Sequence, residues 1–542
     1  MKLNKLFIFV SCATLAASCS DIDDQEYLGG GLTTEQTQET YNAIPERTEA
    51  TFSGMFTIMG NPYQNYETHF TSQRPDDFGF VMAAISLDLE GADMTMADNG
   101  YNWFSPCGEY ISRNANYANP YIRYVIPYTQ LGIANEIIAS YPEDTDNEDG
   151  INQIAQAKAI RAFDYLSLAP YFQGNYSTSK DLPCIPILDG THEAANNPRA
   201  TVGEVYEAIL SDLNYAIEHL TTERDDKSRI NINVAYGLRA RAYLNMGEYA
   251  LAAADAEKAM EGYTPASISD VSVPAFCSRD EANWIWSVNI TEEQGQENYA
   301  TSSSWISAFS GYSYSAGTQN TPMINSMLYN LIPSTDVRKG WWLDENLHSD
   351  NIANLSWNGV TGDAIATLEI EDVKEAFLPY TNVKFGMKSG VGSTMNNNDW
   401  PLMRVEEMIL IQAEGLARSG NESQAREILS NFVRTYRNPS YTIPSNRTLT
   451  DEIWFQRRVE LWGEGFFVSD ARRMGKPIVR FHGTGTTNFP TAYAFNIAAD
   501  DEWMNLRFPQ SEMNTNLGIV DNTGGSQPVA GQNSSLRDGV TD

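Results

Sequence analysis

Aromatic side chains interleaved with small polar residues are the groups in this chain best suited to chemistry, and that chemistry is non-covalent. Sugar rings present C–H faces that stack on Trp and Tyr, while neighbouring amides satisfy the hydroxyls. Tyr101, Asn102 and Trp103 form one such group, and Ser303 to Ser315, carrying Trp305, Phe309, Tyr312 and Tyr314, forms another. The second has neither helical nor sustained strand period, which predicts an exposed loop offering Trp305, Tyr312 and Tyr314. Trp284, Trp286, Trp341, Trp342 and Trp357 are further candidates. The alternation Trp284-Ile285-Trp286 suits a strand with both indoles on one face, and core packing is the favoured role for it.

Signals for catalysis and metal binding are sparse. The five histidines, His69, His192, His219, His348 and His482, have no metal-ligand spacing. Asp88, Glu90, Asp93 and Asp98 supply enough carboxylates for a structural calcium ion, but without the spacing of an EF-hand. A carboxylate pair for glycoside hydrolysis stays open, because the separation that matters is three-dimensional. Gly483-Thr484-Gly485-Thr486-Thr487 lacks the strand and the Lys of a phosphate loop. A formal charge of −34 repels polyanions, which excludes nucleic acid as a ligand and permits neutral sugars, peptides and cations.

The elements that must position these groups are helical. Thr201 with Glu204 forms a capping box, and Tyr206, Ile209, Leu213, Ala216 and Leu220 fall on one face of the helix that follows. From Val234 to Met260, the residues Ala240, Tyr243, Gly247, Tyr249, Ala252, Ala256 and Ala259 match a tetratricopeptide hairpin: alanines for close approach, Gly247 for the turn. Ala413, Leu416, Gly420 and Ala425 repeat those offsets, and Ala162 with Tyr165 does so more loosely. The expected fold is mainly α, with tetratricopeptide-like hairpins at about 121–260 and 400–475 forming an α-α superhelical body. A loop-rich insert at about 262–400 interrupts them, and Asn514 to Asp542 is expected to run over the surface.

At the other end, Lys2 and Lys5 precede an apolar run, Leu6 to Leu15, that ends in Ala16, Ala17, Ser18 and Cys19. The run is too short for a membrane span, which needs about 20 apolar residues, and it has the form of a secretory leader. A cysteine after small residues marks a lipoprotein signal over 1–18, with Cys19 acylated and residues 19–30 an acidic tether. The body then occupies 31–542, and Cys107, Cys184 and Cys277 are too few and too scattered for a disulfide framework.

Longer motifs carry a resemblance. The run from Trp400 to Glu414, the set Arg457-Arg458-Val459-Glu460-Leu461 with Glu464, Asp470, Arg472 and Arg473, and Arg161-Ala162-Phe163-Asp164-Tyr165 resemble signatures of the SusD/RagB nutrient-binding lipoproteins. Thr335-Asp336-Val337-Arg338 and Phe508 to Asn514 match two more, in the family's order. The resemblance implies a non-catalytic, lipid-anchored protein of the outer membrane, exposed at the cell surface. Such a protein captures an oligosaccharide, or in RagB-like members a peptide, and delivers it to a SusC-like TonB-dependent transporter. It also implies contacts from an early loop and from the insert, regionally Tyr101 to Trp103 and Trp305 to Tyr314. A surface glycoside hydrolase and a protein-binding helical scaffold are the alternatives. Arg457, Arg458, Glu460 and Glu464 lie at i, i+3 and i+4 spacings, which suit helix-surface and buried ion pairs and so predict structural roles, and Arg338 beside Asp336 is expected to anchor a turn.

Overall fold

The computed structural model describes residues 44–60, 79–97, 105–111, 113–291, 322–352, 356–357, 360–361, 378–386, 388 and 397–542. Its principal helices are α1 (Pro45–Thr57), α2 (Gly79–Glu90), α3 (Ala118–Ala139), α4 (Glu148–Phe172), α5 (Val202–His219), α6 (Ile232–Met246), α7 (Tyr249–Ala259), α8 (Val405–Arg418), α9 (Glu422–Tyr436), α10 (Leu449–Glu460) and α11 (Phe467–Arg473). Each well-formed start has a local reason. Asn147 accepts from two amides at the head of α4, the Thr201–Glu204 box closes on α5, and Asn231 and Thr448 cap α6 and α10. Gly247 ends α6 at φ +81°, a left-handed position that lets the Glu248 amide donate to the Tyr243 carbonyl.

Helices α3 to α7 pack in chain order, each on the next, and α7 packs directly on α8, which packs on α9. The superhelical stack is therefore continuous in space although about 145 residues separate α7 from α8 in sequence. Small residues make the joints. Ala240, Ala252, Ala256 and Ala259 are fully buried, and a Cβ added at Gly415 would stand 2.5 Å from the Tyr249 carbonyl oxygen and 2.9 Å from Ala253 Cβ.

The insert is more than a loop hung on this stack. Strand β2 (Trp284–Val288) pairs antiparallel with β6 (Trp400–Arg404), the strand that runs straight into α8, and bulges shift the register within it. All five β2 residues are buried, so both of its faces are covered rather than one. Trp286 donates to the Ser228 carbonyl and meets Phe163 edge-on, Trp341 donates to the Val271 carbonyl, and Trp400 stacks on Phe385. Two more two-stranded pairs complete the strands among the described residues: β1 (Met94–Thr95) with β3 (Met323–Ile324), and β4 (Ser356–Trp357) with β5 (Val360–Thr361).

What fastens insert to stack is charge. Glu460, at the end of α10, accepts from Arg437 at 2.8 Å, Arg404 at 3.2 Å and Arg338 at 3.4 Å, all four side chains fully buried. Glu406 takes Arg404, Arg437 and Asn283; Glu464 takes Arg404 and Lys384; Asp336 takes Arg338. Four cations thus face four carboxylates, which is the condition for leaving charge in a low-dielectric interior. Burial alone would raise the Glu460 carboxyl, but Arg437, Arg404 and Arg338 hold it well below the carboxylate range. The expected structural role holds, in its buried form and with partners outside the helix. Arg457 reaches Asp470, Arg458 reaches Asp93 and Asp538, and Glu460 and Glu464 reach other elements, because these side chains point inward instead of along the helix surface. Arg338 does anchor its turn through Asp336.

The C-terminal stretch runs over the surface as expected, and it is pinned there. Leu517 and Val520 are exposed, but Asn522 donates to the Phe172 and Leu506 carbonyls and Asp538 is buried on Arg458, so side-chain hydrogen bonds fix a segment without helix or strand. Cys107 and Cys184 are buried and Cys277 half-buried, all three as free thiols.

Two measurements test this packing. Gly415→Ala should lower stability by roughly 1–3 kcal/mol through overpacking of the α7–α8 joint, read from the urea midpoint; an unchanged midpoint would mean that the joint is loose. Glu414, buried with Arg473 at 2.6 Å, is raised by burial but pulled down to about 2 by Arg473, Arg418 and Arg457. Its pairing stabilises the fold above the ordinary glutamate pKa of 4.5 and is lost as pH falls toward 2. Glu414→Gln should therefore cost roughly 3–5 kcal/mol at pH 7, with the gap from wild type narrowing steadily below pH 4.5.

Candidate functional site

Tyr101, Asn102, Trp103, Trp305, Phe309, Tyr312 and Tyr314 lie outside the described residues, as does Cys19. The structure does describe the chain that leads into and out of the two aromatic segments. Met94 pairs with Ile324 and Thr95 with Met323, antiparallel, so the end of β1 that leads toward Tyr101 lies beside the start of β3, which follows the 303–315 segment. A third strand of chain joins them. Met323 bridges Thr381, the Ile324 amide donates to the Tyr380 carbonyl at 3.1 Å, and the Asn382 amide donates to the Pro322 carbonyl at 3.0 Å.

Two residues that the sequence reading passed over hold these stems. Asn325 is fully buried: its backbone amide donates to the Asp93 carbonyl, its Nδ2 to the Ala92 carbonyl, and its Oδ1 accepts from Thr487 Oγ1 at 3.0 Å. Asn488 adds a bond from Nδ2 to the Ile324 carbonyl. The Gly483 to Thr487 loop, unfit for phosphate, thus ends in a brace for β3. Arg480 is buried too, and its guanidinium donates to the carbonyls of Leu89 and Gly91 on one side of the 98–104 segment and Gly108 on the other. Burial pushes its pKa down to about 10, with Tyr110 and Glu90 acting the other way. Nothing in the local sequence around Arg480 signals this, because its partners are main-chain carbonyls nearly 400 residues away.

Asp93 ties the stems to the rest. Arg458 holds its carboxylate at 2.6 Å and Trp462 Nε1 donates to its carbonyl at 2.9 Å. The described carboxylates weighed for calcium are each engaged elsewhere. Asp88 accepts from the Gly465 and Phe467 amides, Glu90 takes Arg113 and Arg123, and Asp93 takes Arg458, so three carboxylates adjacent in sequence each serve a different protein partner; Asp98 lies outside the described residues. No cluster of His, Cys, Asp and Glu among the described residues could hold a metal. Two carboxyls rise to about 7 through burial, Asp88 and Glu281, and each is occupied by backbone amides. Of the other aromatic candidates, Trp284, Trp286, Trp341 and Trp342 are core, since the insert that carries them packs on the helical stack. Trp357 lies on β4.

Comparison with known proteins agrees with this architecture. Residues 82–244 match the family described as "Starch-binding associating with outer membrane", and residues 285–524 match the SusD family. The SusD-like protein P2 of Formosa agariphila is 30% identical over 132 residues, covering 24% of this chain and 25% of that protein. A SusD-like protein of Bacteroides ovatus is 28% identical over 120 residues, so the chain aligns with only about a quarter of either curated relative. Solved structures align far more fully. A SusD-like carbohydrate binding protein of Bacteroides vulgatus superposes with a TM-score of 0.68 at 22% identity, over 88% of this chain and 97% of that one. Surface glycan-binding protein A of Bacteroides thetaiotaomicron, solved with laminarihexaose, gives 0.62 at 16% identity, over 88% and 99%. With a mainly helical SusD-like fold and two family matches that together run from α2 nearly to the C-terminus, the chain belongs to the SusD/RagB family.

Proposed function

We propose that this protein is a non-catalytic surface lipoprotein that captures a neutral oligosaccharide and delivers it to a SusC-like TonB-dependent transporter. The observation that carries the reading is the pairing of β1 with β3, which gives the two aromatic segments a common root. Rings from both segments would then bear on one ligand, with Trp103 and Trp305 as stacking platforms, Tyr101, Tyr312 and Tyr314 as flanking rings and Asn102 as a hydroxyl partner. A net charge of −34 favours a neutral glycan over a polyanionic one, and the laminarihexaose complex of a structural neighbour offers a starting ligand. Anchoring would come from acylated Cys19 through the acidic tether, leaving the glycan face clear of the membrane.

Glycan and peptide arrays followed by calorimetry test the site. Trp103→Ala and Trp305→Ala should each weaken glycan binding roughly tenfold, about 1.4 kcal/mol, with the melting temperature unchanged. Wild-type affinity in both variants would remove these residues from the site, peptide binding alone would favour a RagB-like ligand, and cleavage of the glycan would favour a hydrolase. For the anchor, Cys19→Ala should move the protein from the membrane to the soluble fraction and abolish palmitate labelling. Retention of label would relocate the modified cysteine.

A further inference from the structure

Between α2, α3, α4, α6 and the α10–α11 connection lies a cavity of about 140 Å³, walled by Leu87, Phe163, Leu166 and Phe466 among others. Its polar lining is unusual for so acidic a chain, because four arginines face three carboxylates. Most of these are satisfied: Arg241 is paired with Glu407, Arg473 with Glu414 and Asp470, and Glu464 with Arg404 and Lys384. Two arginines retain free donors. Arg123, 6% exposed, gives Nη1 to Glu90 at 2.9 Å while its Nε and Nη2 have no partner. Arg457, 3% exposed, gives Nε and Nη2 to Asp470 while its Nη1 has none. Buried cationic donors without acceptors favour a ligand that brings an acceptor, and an anionic one most.

We propose that this cavity is a binding site for a small amphipathic carboxylate, about the size of benzoate, whose apolar body lies on the Leu87–Phe163 wall and whose carboxylate accepts from Arg123 and Arg457. The volume fits, since a cavity of about 150 Å³ admits benzene. None of the residues proposed for the glycan, Tyr101 to Trp103 and Trp305 to Tyr314, is among those that line the cavity, so each proposal can fail without the other.

Calorimetric titration of the purified protein with sodium benzoate and with benzyl alcohol, the neutral analogue of like size, tests the proposal. Saturable 1:1 binding of benzoate at least tenfold tighter than benzyl alcohol is expected. Arg123→Gln should erase that preference, with Glu90 still held by Arg113 at 2.6 Å. Ala83→Phe, which pushes a ring into the cavity from α2, should abolish binding of both probes while glycan affinity stays unchanged. Equal affinities, no binding of either probe, or undiminished benzoate binding by Ala83→Phe would overturn the proposal. Should a variant not fold, the ratio of the two probes on the unaltered protein and a benzoate-soaked crystal decide: benzoate on the two arginines supports the site, and water alone there refutes it.

Discussion

A closed set of buried opposite charges is the constraint on which the rest of the molecule depends. Glu460 stands at the centre, and its partners come from the head of α8, the end of α9 and the Asp336–Arg338 turn of the insert, while Lys384 and Glu464 extend the set outward. Bringing such groups out of water is costly, and the cost is offset only when every partner is in place. Such a cluster tolerates no half-formed version of itself. It therefore enforces one arrangement of stack and insert in a way that apolar packing, which accepts many near-equivalent fits, does not.

This constraint explains how an irregular insert can be held in one place against the helical body. With β2 and β6 welded to the start of α8 and Lys384 drawn onto the Glu460 and Trp462 carbonyls, the chain around 378–386 is fixed to the helical body. That same chain completes the short ladder with β3, and β3 holds β1. A rigid helical scaffold, a charged fastening and a two-residue ladder form a single path from core to the roots of the aromatic segments. The free guanidinium donors of Arg123 and Arg457 lie on the opposite logic: where the fastening is complete there is nothing to bind, and where it is incomplete there is.

Much of the helical body was legible in the sequence. The Thr201–Glu204 box, the Gly247 turn and the alanines at 240, 252 and 259 each act through neighbours a few residues away, so their spacing carries the information. Tryptophans 284 and 286 were readable as core for the same reason, although the bulge that turns them was not. The ion pairs were read with the right role and the wrong partners, because Arg458 at helical spacing from neighbouring charges says nothing of Asp93 or Asp538. Asn325 and Arg480 left no trace, since they grip main-chain atoms and any stretch of sequence supplies those. The aromatic segments were visible by composition, whereas their common root is a fact of β1–β3 pairing across some 230 residues.

The Arg458 guanidinium, held between Asp93 and Asp538, has a bearing on biosynthesis. Asp93 sits at the root of the first aromatic segment, and Asp538 is made hundreds of residues later. Contacts of such sequence separation form late and slowly. A nascent chain can build the α3–α7 stack as it emerges, but the Arg458 guanidinium has both of its carboxylate partners only after Asp538 has been synthesised. A product cut short before residue 538 would carry a folded helical stack with Arg458 paired to Asp93 alone, one buried positive charge short of its second carboxylate.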